Sequence, residues 1–233
     1  MERAKWLKEI EEEIINPLRE RALNHPFIRE VSEGRLPVYK VRRLLGDVLW
    51  SITGFPELIA ALASRCPKYD HEVKTKLLAN AYEERTHPQL LARVVRALGG
   101  DPEPMLNGPA YKYRPLKPLW HRRNWEELCV YHKPWVVAIA ALGVGVESMV
   151  PYIFGTIGKG LKRHYGLKGE DMAWFRIHGG EVEMEHGEDG FRILERYVRP
   201  DDEETIAACK DAIEMTASEM VESLDTYYQY EGD

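Results

Sequence analysis

Cysteine is scarce in this chain: three residues in 233, at positions 66, 129 and 209. They show neither C-x-x-C spacing nor clustering, which argues against a disulfide framework and a thiolate zinc site and reads them as buried structural thiols. Long hydrophobic runs are also missing. The longest, Val136 to Val146, falls short of the roughly 20 residues that a bilayer crossing needs, so no membrane span is expected. The opening residues, Met1 to Glu9, are charged and lack the apolar core of a signal peptide, and a cytoplasmic protein is the expectation. Basic charge is not in excess: 32 Lys and Arg stand against 38 Asp and Glu, a net charge of -6. The two signs are interleaved, which argues against a nucleic-acid partner. Period-2 alternation never lasts more than a few residues, so the signature of strands is absent as well.

What the chain has is helical periodicity. With 44% hydrophobic residues it can bury a sizeable core, and one domain over residues 1–233 is expected. Apolar positions 6, 7, 10, 14, 15, 18 and 22 predict a first helix over residues 4–22, kinked at Pro17. Further helices are expected over 38–52, from 57 onward, over 71–98 with a bend at Pro88, over 125–165 with bends at Pro134 and Pro151, and over 170–198. Pro200-Asp201-Asp202 should end that helix and cap a last one reaching Tyr228. Residues 101–123, rich in Pro, Gly, Tyr and basic side chains, read as a long ordered loop or lid. The fold class is all-α, with no internal repeat.

One stretch stands out from this background. Arg176 to Asp189 gathers His178, His186 and a dense set of carboxylates. On one helix Glu183 precedes His186 by three residues, so the pair points the same way and forms a Glu-x-x-His unit. A second unit, Glu84-Arg85-Thr86-His87, lies on the expected 71–98 helix, with Glu83 an alternative carboxylate. Glu147 sits in an otherwise apolar, small-residue run from Leu142 to Val150. Burying an unpaired carboxylate is costly, so Glu147 must meet either a basic side chain or a cation shared with the histidines. Two Glu-x-x-His units with further glutamates from other helices are the ligand pattern of di-iron carboxylate bundles. Oxygen and nitrogen donors without thiolate suit iron, with manganese the alternative, better than a closed structural zinc site.

Three segments carry a family resemblance: Asn80 to Leu91 around Glu83-Glu84-Arg85-Thr86-His87, Gly145 to Ile153 around Glu147, and His178 through His186 followed by Gly187-Glu188-Asp189-Gly190. Their order and spacing resemble the haem-oxygenase-like di-metal oxidases, which share a fold with the thiaminase II (TenA-like) proteins and pyrroloquinoline-quinone synthase. The resemblance implies a seven-helix haem-oxygenase-like bundle and, position by position, the metal ligands Glu84, His87, Glu147, His178, Glu183 and His186, with Glu147 bridging. It implies two iron ions, with O2 as cosubstrate. The spacing from His178 to Glu183 exceeds the family's by one residue, and the family usually has Asp there. A π-bulge at Gly179-Gly180 would restore the register, and Glu181 is the fallback carboxylate.

Such enzymes oxidise small carboxylate-containing molecules, amino acids or fatty acids, by C–C cleavage, desaturation or N-oxygenation. Substrate-binding candidates are Arg85, Tyr152 and Arg176, with Lys133 and Arg192 as further cations and Trp50, Phe55, Tyr82, Tyr131, Trp135 and Phe154 as pocket aromatics. The expected partners are a small-molecule substrate, an external electron donor and a second copy of the chain, with no nucleic acid and no membrane. Rival readings are a metal-free oxidase like the quinone synthase, a thiaminase-type hydrolase needing a nucleophilic cysteine, a ferritin-like iron-binding protein with Glu57 completing the ligands, and a helical interaction module.

Overall fold

Proline and glycine divide the helices more often than the apolar period alone predicts. The protein, seen in a computed structural model, is described over residues 3–67, 69–108 and 112–232, the side chains of residues 181–184 excepted. No strand occurs among the described residues. Helix α1, residues 5–24, contains a π turn at Glu11–Ile15 between Lys5–Ile10 and Asn16–Asn24. Pro17 lacks an N–H and crowds the carbonyl four residues back; the widened turn just before it takes up that mismatch where a kink was expected. Helices α2 (Pro26–Ser32), α3 (Val38–Ile52) and α4 (Phe55–Arg65) follow.

The helix expected over 71–98 is two: α5 (His71–Glu84) and α6 (His87–Ala97), with a turn at Arg85-Thr86. Pro88 sits in the first turn of α6, where its missing N–H leaves no bond unmade. After the short α7 (Glu103–Leu106), α8 runs Lys117–His132, so the expected loop is shorter than its composition suggests. Pro118 again lies in a first turn. Helix α9, residues 135–146, passes from Trp135–Ile139 into a π turn at Ala140–Val146, and α10 is Val150–His164. A 3-10 turn at Gly169–Met172 leads into α11 (Ala173–His178), which stops at Gly179-Gly180 before α12 (Glu181–Tyr197). The last helix, α13 (Glu203–Gln229), starts on Asp202, whose side chain accepts from the Thr205 N–H, as its sequence signal requires.

Helix α9 is the axis of the bundle, with α12 and α13 packed against it. Ala140, Ala141, Leu142, Val144 and Gly145 are all buried in it. A Cβ on Gly145 would stand 2.8 Å from that of Thr216 on α13, so the small side chains let two backbones approach. Residues 135–164 are long and apolar enough to cross a membrane, yet 78% of their most apolar window is buried inside the fold.

Asp47 on α3 ties three segments together. It accepts from the Tyr113 hydroxyl (2.5 Å), the Leu116 N–H (2.8 Å) and the fully buried Tyr227 hydroxyl of α13 (2.7 Å). Burial pushes its carboxyl above the usual range, and these bonds pull it back. Asp47→Ala would orphan all three donors, one of them beyond the reach of water. A loss of about 3 kcal/mol in urea unfolding is expected, and a loss under 1 kcal/mol would show that Asp47 is not the anchor.

Candidate metal centre

Helix ends bring the donor groups together. Glu84 closes α5 and His87 opens α6, and the turn between them places His87 Nδ1 2.7 Å from Glu84 Oε2. His178 closes α11. Its ring lies stacked on Trp174 at 4.1 Å, and its Nδ1 lies 2.9 Å from the Trp174 carbonyl oxygen. An Nδ1–H donating to that oxygen fixes the tautomer and turns Nε2 to the ligand role, the usual support of a metal-binding histidine. The His87 and His178 rings meet edge to face at 4.6 Å. One ligand atom from each of Glu84, His87 and His178 lies within 4.8 Å of the others, and all three side chains are buried.

Glu147 occupies the turn that ends the π segment of α9. Its N–H bonds to the Leu142 oxygen five residues back (3.4 Å), so the π register, not the α register, sets its direction. Arg19 of α1 holds the same turn by donating to the Ser148 oxygen (2.9 Å). The Glu147 side chain, 4% exposed, lines two cavities. The smaller also meets Glu84 and His178. The larger, of about 370 Å³, is lined by Glu83 and His186 together with apolar residues that include Ile59, Leu62, Ile139 and Leu142. His186 Nε2 stands 3.4 Å from Glu83 Oε2. Glu147 therefore lies between a buried triad and a more open Glu83–His186 pair.

Several expected residues lie elsewhere. Gly179-Gly180 ends a helix, with Gly180 extended, where a π-bulge was expected. Glycine leaves the helix at little cost, and Gly179 packs so tightly on Gly155 that a Cβ would fall 2.8 Å from the Gly155 Cα. His178 and Glu183 consequently belong to different helices, and the extra residue between them is not a register shift within one helix. The side chains of Glu183 and of the fallback Glu181 lie outside the described residues. Arg85, in the turn after α5, is exposed and folds onto Tyr82, and Arg176 is exposed beside Glu170 on the outer face of α11. Tyr152 stacks under Arg19 at 4.2 Å, behind the Glu147 turn and away from both cavities. Lys133, Arg192 and Glu57 are exposed too. Of the candidate aromatics, Phe55 and Phe154 line the small cavity, and Phe55 the large one as well.

Sequence reading passed over a buried charge group beside the small cavity. Arg122 and Glu126 of α8 are 8% and 1% exposed, with Nε and Oε1 3.3 Å apart. Leu119, Arg122, Glu126 and Cys129 fall on one face at i, i+3, i+7 and i+10, all buried. That periodicity was the available signal, masked by the density of charge around it. Half-buried Glu219 of α13 completes the group, its carboxyl raised by burial to about 7. Burial raises Glu126 likewise. A raised carboxyl binds its proton more firmly folded than unfolded. Its stabilising contribution is complete below the unfolded value near 4.5 and disappears as pH rises through about 7. Relative to Glu219→Gln, the parent protein should lose on the order of 2 kcal/mol between pH 5 and 8. Parallel stability curves for the two proteins would refute this.

The donor set suits a hard or intermediate cation. Among the described residues no Lys or Arg meets Glu84, whose partner is the His87 imidazole. A buried carboxylate gathered with two imidazoles, a further buried glutamate nearby and no thiolate matches iron or manganese chemistry. The all-α bundle has the architecture of a haem-oxygenase-like helical protein. The chain belongs to the haem-oxygenase-like family of iron-containing redox enzymes, whose sequence profile matches residues 44–220. Solved structures agree on the fold. A TenA homologue from Pseudomonas syringae pv. tomato superposes with a TM-score of 0.84 at 15% identity, covering 99% of each chain. A domain of unknown function with a haem-oxygenase-like fold from Shewanella denitrificans gives 0.78 at 16% identity, over 96% of this chain and 92% of that one. The TenA homologue of P. horikoshii gives 0.76 at 11%, over 97% and 99%. No curated protein matches the chain.

Proposed function

We propose that the protein is a cytoplasmic non-haem di-iron oxidase or oxygenase acting on a small carboxylate-containing molecule. The observation that carries this reading is the buried Glu84, His87 and His178 cluster, with Glu147 between it and the Glu83–His186 pair. Glu84, His87 and His178 would hold one iron, His186 and Glu83 or Glu183 the other, and Glu147 would bridge them. Bound iron would supply electrons to O2 and the oxidising power for the substrate, with an external donor restoring the reduced state. The chain's part is to fix the imidazoles, as Trp174 does for His178, and to exclude water with apolar walls. The 370 Å³ cavity is the size of a small-molecule site.

The TenA-like fold also admits a hydrolase using a cysteine nucleophile. Cys129 and Cys209 do not support it here: both are buried and line neither cavity, and burial pushes each thiol up to about 12. Anaerobic loading with Fe(II), followed by O2, tests the main reading. About two irons per chain and an O2-dependent transient absorbance are expected. A folded protein that takes up no iron would rule it out.

A further inference from the structure

The geometry points to Arg122 and Glu126 as the anchor for the zwitterionic head of an α-amino acid, Glu126 taking the ammonium group and Arg122 the carboxylate. This rests on the oxidase reading and chooses among the substrates it allows. Both side chains line the small cavity that Glu84, Glu147 and His178 also line, so a molecule held there lies beside the metal donors. The ion pair satisfies each group only in part. Their contact is a single 3.3 Å approach, and Arg122 Nε and Glu126 Oε2 have no hydrogen-bond partner. Buried charges left this way are costly, and a ligand presenting one donor and one acceptor group removes the cost.

The sign of the charge group selects the head. Arg122 is opposed by Glu126 and by the half-buried Glu219, whose Oε1 also lacks a partner. A fatty acid would answer Arg122 and set its carboxylate against Glu126. An amino acid answers both. Free space in this cavity is about 40 Å³, enough for a head group and no more. Phe55 and Glu147 form its shared wall with the larger cavity, whose apolar residues would receive an aliphatic side chain past the Phe55 ring.

Calorimetric titration of the metal-free and of the anaerobic Fe(II)-loaded protein with norleucine, hexanoate and pentylamine separates the contributions. Norleucine should bind about tenfold or more tightly than either fragment. Glu126→Gln should weaken norleucine and pentylamine while sparing hexanoate, and Arg122→Gln should weaken norleucine and hexanoate while sparing pentylamine. A pair that is only structural would weaken all three probes alike in both variants. That result, hexanoate binding as tightly as norleucine, or no binding of norleucine in either form, overturns the proposal. Iron uptake without norleucine binding would fault this assignment alone, whereas norleucine binding without iron uptake would fault the oxidase reading.

Discussion

His178→Ala should abolish tight iron binding at the buried position while leaving the helical content of the protein nearly unchanged. The ring is one of three clustered ligand groups, and the other residues lining the cavity beside it, Arg122, Glu126, Glu147 and Ser51 among apolar side chains, supply no second imidazole to replace its nitrogen. Loss of a ligand should cost more than the roughly 10–100-fold that removing an outer hydrogen-bond partner costs. Iron per chain should fall from about two to one or none. His186→Ala gives the contrast that makes the result specific. His186 is partly exposed on the Glu83 side of Glu147, so its loss should spare the buried ion and remove the other. Iron analysis after gel filtration reads both variants, and undiminished iron in His178→Ala would mean that the centre lies elsewhere.

The broad fold was legible in the sequence because burial on helices repeats with a period that local composition displays. The caps were legible too: Asp202 was expected at the start of α13 and occupies it. The breaks were harder to read. Pro88 marks the first turn of a new helix, and so it separates Glu84 from His87 where a bend inside one helix was expected. Gly179-Gly180 does the same after His178, and the π turn before Glu147 has no residue signature beyond a run of Ala, Gly and Val. Glu84, His87, Glu147 and His178 thus all sit at irregular points of the backbone. Periodicity assumes a continuous helix, so it loses validity at the positions proposed to carry the chemistry. Residue type survived this failure, since carboxylate and imidazole in a buried run demand a partner in any register. Arg122 and Glu126 show the opposite limit: an i, i+4 ion pair looks the same on a solvated face and on a buried one, and only packing distinguishes them.

Gly190→Ala should be the most damaging single-methyl substitution in the chain. Its Cβ would fall 2.2 Å from the Gly143 oxygen and 2.5 Å from the Gly143 carbonyl carbon. Both are backbone atoms of the buried π turn in α9, so no rotamer change relieves the clash, and α12 must move outward. Overpacking of this kind costs about 3 kcal/mol, which for a chain of this size lowers Tm by roughly 6–12 °C. The consequence reaches the metal centre, because His186 lies one turn before Gly190 and Gly187 packs on the Glu147 backbone. Moving α12 away from α9 separates His186 from Glu147, and of the two irons proposed the more exposed should be lost before the fold is. Gly187→Ala is the control: its Cβ would sit 3.6 Å from Glu147, an ordinary contact, and both Tm and iron content should stay near the parent values. If Gly190→Ala melts like the parent and holds the same iron, the close approach of α12 to α9 does not position the ligands, and the placement of His186 must have another cause.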